Sequence, residues 1–206
     1  FDAATPIEET LRAMDDLVRQ GKVLYPALSN WTAWQVEKAL GVCALGQLAP
    51  VACLQPMYNL VKRAAEIEIL PMAQAEGLGV IAYSPLGGGL LTGKYGVDRR
   101  PESGRLVDKD NYRTRYGLDE YYRSAERFTA FAADKELNAV SLAVSWVLHH
   151  PAVTAPIIGA RNLEQLEPSL RAVEIRLSAE ERAEISALGP APPPATDRLE
   201  EAAGPK

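Results

Sequence analysis

The chain has 206 residues, 47% of them hydrophobic, enough for one sizeable core, and a formal net charge of -5 that argues against nucleic acid or an anionic membrane surface as its partner. Cys43 and Cys53 are its only cysteines and fall in no CxxC or Cys/His metal spacing, so a reduced compartment, the cytoplasm, fits better than a secreted disulfide scaffold. No apolar run reaches transmembrane length, no signal-peptide pattern opens the chain, and the start at Phe1-Asp2 without methionine reads as an excised piece.

Thr5-Pro6-Ile7-Glu8 predicts a helix start, with Thr5 as cap, proline at the first helical position and Glu8 closing a capping box. Ile7, Leu11, Met14 and Val18 then recur at helical spacing until Gly21 ends the helix. Val23 to Leu28 is a strand candidate running into Ser29-Asn30, although Pro26 lacks a donor for a sheet ladder. Trp31 to Leu40 is helical, and Val51 to Leu54 is a strand ending at Gln55-Pro56. A helix from Ala64 to about Ala75 should be kinked or shortened by Pro71, and Gly79 to Ser84 is the next strand.

After Lys94, the stretch YGVDRRPESGRLVDKDNYRTRYG has loop composition, and a structureless loop of that length in a compact domain is usually functional or disordered. Helices follow at about Leu118 to Lys135 and Ser141 to His149, then a short strand, Ala155 to Ile158, ending at Gly159-Ala160-Arg161. Leu163 to Leu170 and Ser178 to Leu188 are helical, the second with a Ser178/Glu181 capping box. The main domain is thus residues 1–188, and the proline-rich tail 189–206 has the composition of a disordered segment.

Apolar strands alternating with amphipathic helices predict a parallel α/β sheet or barrel. In such folds ligands gather at the carboxyl ends of the strands. Here those ends carry Ser29-Asn30, Gln55, Ser84 and Arg161, which together suggest one shared site.

The segment IAYSPLGGGLLTGKY admits two phosphate-binding readings. Gly88 to Lys94 matches the G-x-x-x-x-G-K core of a P-loop, but Tyr95 stands where a magnesium-binding hydroxyl belongs and the following residues break rather than open a helix. In the other reading the turn wraps the pyrophosphate of a dinucleotide, glycines admit the phosphates to the backbone, and Lys94 and Arg105 add a point charge and a bidentate fork.

Five ordered segments, FDAATPIEETLRAMDDLVRQGKV, LSNWTAWQ, LQPMYNL, YSPLGGGLLTGKY and PIIGARNLEQLEPSL, resemble the carboxyl-terminal half of an aldo-keto reductase, in the branch that includes potassium-channel beta subunits and bacterial general reductases. The resemblance implies a partial TIM (β/α)8 barrel, strands five to eight with their helices, from an NADP(H)-dependent oxidoreductase that reduces aldehydes and ketones. It implies that Ser29, Asn30 and Gln55 hold the nicotinamide carboxamide and that Tyr83 stacks on the nicotinamide. Ser84, Pro85, Leu86, Gly87, Gly88 and Lys94 would form the pyrophosphate loop, with Arg105, Gly159, Arg161 and Gln165 at the adenosine end. The chain departs from the family at Pro168-Ser169, where Glu-Asn is usual, and at Pro26-Ala27, where Ile-Gly is common.

The family's catalytic Asp, Tyr, Lys and His would precede Phe1, and His149 and His150 lie too late in the chain to replace them. A four-strand piece would need a missing amino-terminal barrel half or a second copy to cover its inner face. Alone it is expected to dimerise, be marginally stable or aggregate. The alternative reading is a non-catalytic module that senses a nicotinamide nucleotide.

Overall fold

The four apolar segments form parallel strands: β1 (Ala27–Ser29), β2 (Cys53–Gln55), β3 (Gly79–Tyr83) and β4 (Ala155–Ile157). In this computed structural model, which describes residues 1–196 and 198, they pair in the order β1-β2-β3-β4. Registers run Ala27–Cys53–Gly79 across the first three strands, and Tyr83 stands opposite Ile157. Sequential parallel pairing with helical crossovers is the topology of a TIM-barrel segment.

The strands are shorter than the apolar runs. β1 begins only at Ala27, because Leu24 and Tyr25 have no layer above them and are 78% and 77% exposed. Pro26 precedes the strand, where its missing donor costs nothing, and its carbonyl accepts the Ala52 amide at 2.8 Å.

Side chains alternate across a strand, so the sheet has two faces. Leu28, Leu54, Val80 and Ala82 point to the helices and are 5% exposed or less. Ala27, Ser29, Cys53, Gln55, Ile81, Tyr83 and Ile157 point the other way and keep part of their surface in solvent. That second face corresponds to the interior of a barrel.

Helices α1 (Ile7–Arg19), α2 (Ala33–Gly46), α3 (Ile69–Ala75), α6 (Asp119–Asp134) and α7 (Ala139–Leu148) form the outer layer with α8 (Leu163–Leu170) and α9 (Ala179–Ser186). α1 buries Ile7 and Leu11, each contributing about 1.5–3 kcal/mol by its removal from water. Its amino terminus differs from the expected cap: Pro6 is the N-cap, and the Thr5 hydroxyl donates to Asp2 instead. Its other end follows expectation, with Gly21 at φ +70° and the Lys22 amide closing back on Leu17 O at 2.9 Å.

The helix expected over 64–75 is divided into a 3-10 turn, Ala64–Glu66, and α3. Pro71 then lies in the first turn of α3, where a missing amide hydrogen breaks no helical bond. The capping box of α9 is present, with Ser178 and Glu181 exchanging side-chain to backbone bonds at 3.2 and 2.8 Å.

The stretch after Lys94 is not structureless. It contains α4 (Arg105–Asp108) and α5 (Asp110–Tyr116), whose Leu106 and Tyr116 are buried. Residues 189–196 carry no helix or strand, and the rest of the proline-rich tail, 197 and 199–206, lies outside the described residues.

Beneath the helices, Tyr58 donates to Glu66 while Arg182 of α9 donates to Tyr58 at 2.7 Å, and Arg63 holds Glu66 in a fork at 3.0 and 2.8 Å. This cluster anchors α9 to the segment after β2. His150 meets Tyr58 edge-on at 5.5 Å, and its Nδ1 accepts the Ala152 amide at 3.1 Å, so this nitrogen is unprotonated. Burial, assisted by the Arg182 and Arg63 charges, pushes its pKa down to about 4, and His150 is a neutral structural residue at pH 7. No helix among the described residues is long and apolar enough to cross a membrane.

Candidate functional site

Side chains at the carboxyl ends of β1 and β3 and the backbone carbonyl of Gln55 at the end of β2 form one hydrogen-bonded row. Ser29 Oγ donates to Gln55 O at 3.0 Å, Asn30 Nδ2 donates to Ser29 Oγ at 3.1 Å, and Tyr83 OH donates to Asn30 Oδ1 at 2.9 Å. Ser29 and Asn30 are exposed and the other two half-buried, so the row is open to a ligand while holding its own orientation.

Among the described residues, non-glycine positive φ occurs at Asn30, Gln47, Ser84 and Glu136. Gln47 and Glu136 follow helix ends, where the left-handed conformation terminates a helix. Asn30 (φ 57°) and Ser84 (φ 59°) instead directly follow β1 and β3, and such backbone outliers cluster at functional sites.

From Ser84 the chain enters a tight turn. Gly87, Gly88 and Gly89 have φ of 58°, 70° and 101°, a run that side-chain-bearing residues rarely adopt. The turn closes with Gly87 N on Ser84 O at 2.9 Å and Gly89 N on Leu86 O at 3.0 Å. No α-helix starts at Lys94, and the Tyr95 side chain is fully buried, so the structural context of a P-loop is missing.

This turn forms one wall of a cleft of about 620 Å³. Tyr83, Ser84, Pro85, Leu86, Gly88, Lys94 and Arg105 line one side, and Gly159, Arg161 and Gln165 the other. Eleven residues of separation bring Lys94 and Arg105 together because α4 folds back over the turn, and Arg161 arrives from the end of β4. All three cations are exposed and form no ion pair with any described residue. Among the described residues Glu164 is the only carboxylate on the lining, so these residues of an acidic chain present a net positive cleft. Its size lies within the range of small-molecule and cofactor sites.

Gly87 does not line the cleft; it is buried and shapes the turn from beneath. Ser29, Asn30 and Gln55 also lie outside the cleft and join it through Tyr83. Sequence reading missed Gly89, Thr92, Tyr112, Val140 and Ile158 on the lining. Tyr112 and Tyr116 stand four apart and stack with centroids 6.3 Å apart, a helical spacing hidden among charged residues. Pro168 lines the cleft, whereas its neighbour Ser169 is buried away from it.

A parallel α/β sheet with a basic, glycine-lined cleft at its carboxyl edge is the arrangement in which α/β proteins place their ligand sites. Residues 1–190 match the model of the aldo/keto reductase family, and the chain belongs to that family. It is 37% identical over 193 residues to the uncharacterized oxidoreductase YrpG of Bacillus subtilis, covering 93% of this chain and 57% of that protein. It is 36% identical over 189 residues to aflatoxin B1 aldehyde reductase member 2 of Mus musculus, covering 84% of this chain and 51% of that protein. A probable voltage-gated potassium channel subunit beta of Arabidopsis thaliana is 33% identical over 177 residues, covering 84% and 54%. The chain thus spans about half the length of the curated relatives it matches.

Proposed function

We propose that this chain is the nucleotide-holding half of an NADP(H)-dependent carbonyl reductase. The observation that carries the reading is the convergence of Lys94, Arg105 and Arg161 on a left-handed glycine turn, with no carboxylate among the described residues paired to any of them. Unpaired cations beside bare backbone suit a diphosphate bridge, and the surplus charge at Arg105 suits the further phosphate that separates NADP from NAD.

In this reading Ser84, Pro85, Leu86, Gly88 and Lys94 hold the pyrophosphate, with Gly87 shaping the turn, and Gly159, Arg161 and Gln165 receive the adenosine end. Ser29, Asn30 and Gln55 hold the carboxamide, and Tyr83 offers its ring to the nicotinamide. When bound, the nicotinamide supplies hydride to an aldehyde or ketone. The strands correspond to five through eight of the barrel, and the acid-base groups lie on the other half.

The half-open sheet is covered by that other half or by a second copy. Sedimentation of the chain alone is expected to show self-association, and a monodisperse, cooperatively melting monomer would contradict this. The free thiols Cys43 and Cys53 suit the reducing cytoplasm.

A second reading, a non-catalytic nucleotide sensor, draws on the channel-subunit relative. Both readings require nucleotide binding, so titration with NADPH, followed by its fluorescence, is the first test. Saturable binding below millimolar NADPH is expected, and a flat titration at millimolar nucleotide rejects both. Turnover of 4-nitrobenzaldehyde by the chain alone would show that its own residues supply the proton chemistry.

A further inference from the structure

We propose that Asn59 is a positioning residue for the nucleotide turn and that Tyr116 shares the task; this rests on the nucleotide reading above. Asn59 is fully buried and outside the cleft, yet its side chain makes three hydrogen bonds. Nδ2 donates to Ser84 O at 2.9 Å and to Tyr116 OH at 3.2 Å, and Oδ1 accepts the Val61 amide at 3.2 Å.

Ser84 O also accepts the Gly87 amide at 2.9 Å, so two donors fix the peptide plane at the point where the strand turns left-handed. A carbonyl held from two directions fixes the direction in which the next residues leave the strand. Those residues, Pro85 and Leu86, form the wall of the cleft. The turn also rests on this pair sterically: a methyl group on Gly87 would lie 3.6 Å from Tyr116 Cε1 and 3.8 Å from Asn59 Oδ1.

Asn59 is itself held in place. The Tyr58 amide donates to Tyr83 O at 3.1 Å, the Tyr83 amide donates to Pro56 O at 3.0 Å, and Asn59 and Lys62 exchange backbone bonds at 3.3 and 3.0 Å. Through Tyr116 the same amide reaches α5, which carries Tyr112 into the cleft against the turn. One buried side chain therefore ties the extension of β2, the turn after β3 and the helix that covers the turn.

A residue that merely fills the core would change stability alone; a positioning residue changes the turn and the affinity. Asn59→Asp retains the acceptor for Val61 and replaces the donor aimed at Ser84 O with an oxygen. Tyr116→Phe deletes one hydroxyl and keeps the ring against Gly87. Both are made in the 206-residue chain, labelled with 15N-glycine, and titrated with NADPH.

The amide signals of Gly87, Gly88 and Gly89 are expected to move in both variants before nucleotide is added, with Gly21 and Gly46 unchanged. The dissociation constant for NADPH is expected to rise about tenfold or more for Asn59→Asp and about threefold for Tyr116→Phe. Should Asn59→Asp fail to fold, Tyr116→Phe decides alone. Wild-type binding with unchanged affinity in the folded variants overturns this inference and leaves the nucleotide reading standing. No binding by the wild-type chain overturns that reading, and this inference with it.

Discussion

Lys94→Ala is expected to raise the dissociation constant for NADPH about tenfold or more, and Arg105→Ala to do the same, because a hydrogen bond to a charged group contributes about 1.5–3 kcal/mol. The two cations are exposed and pair with no carboxylate among the described residues, so their removal leaves no buried partner there without a counter-charge. The melting temperature should therefore barely change while the affinity falls. Arg105 is assigned to the extra phosphate of NADP, and its loss should weaken NADPH more than NADH; Lys94 should weaken both. Wild-type affinity should also fall with added salt, and less steeply once either charge is gone. Arg19→Ala, which removes a cation paired with Asp15 on α1, is the control and should leave binding unchanged. If neutralising Lys94 leaves the NADPH titration as it was, the diphosphate does not lie at this turn.

Gly88→Ala is expected to destabilise the chain by about 2–5 kcal/mol and to abolish nucleotide binding at concentrations that saturate the wild type. Two costs add. The position has φ +70°, where a side chain costs roughly 1–2 kcal/mol. A methyl group there would also lie 2.8 Å from Tyr112 Cδ1 and 3.0 Å from Leu106 Cδ1, overpacking that costs about 1–3 kcal/mol. Those atoms belong to α5 and α4, so relief of the clash must lift the segment that carries Arg105 and Tyr112 into the cleft. Gly41 is the contrasting case: it lies inside α2, and a methyl group there meets nothing within 4 Å. Gly41→Ala should stabilise the helix by about 0.5–1 kcal/mol. Urea unfolding of the two variants checks both signs, and a Gly88→Ala chain as stable as the wild type would refute the tight packing of the turn against α4 and α5.

Local chemistry made part of this molecule readable in one dimension. The Ser178/Glu181 box, the Gly21 stop and the glycine turn depend on residues within a few positions of one another. Each has one low-energy backbone solution that neighbours in the chain select. The alternation of short apolar runs with amphipathic helices gave a parallel sheet for the same reason, since its period is local. The polar residues closing those runs pointed to the carboxyl edge, where Tyr83 and Ser84 meet the cleft and Asn30 meets Tyr83.

Other features were settled by contacts between distant residues. Leu24 and Tyr25 are apolar enough for a strand, yet no layer covers them and β1 starts after them. The charged stretch after Lys94 has loop composition, yet Leu106 and Tyr116 find buried sites against the glycine turn and draw α4 and α5 into helix.

The amino-acid order alone therefore determined the parallel α/β architecture, the family resemblance and the edge of the sheet that carries the cleft, because periodicity and turn chemistry act over a few residues. Only the tertiary structure decided that Lys94, Arg105 and Arg161 share one cleft, and that Asn59 holds Ser84 and Tyr116 from beneath. Those groups lie eleven or more residues apart in the chain, and a hydrogen bond or a convergence of charge exists only once the intervening chain has folded.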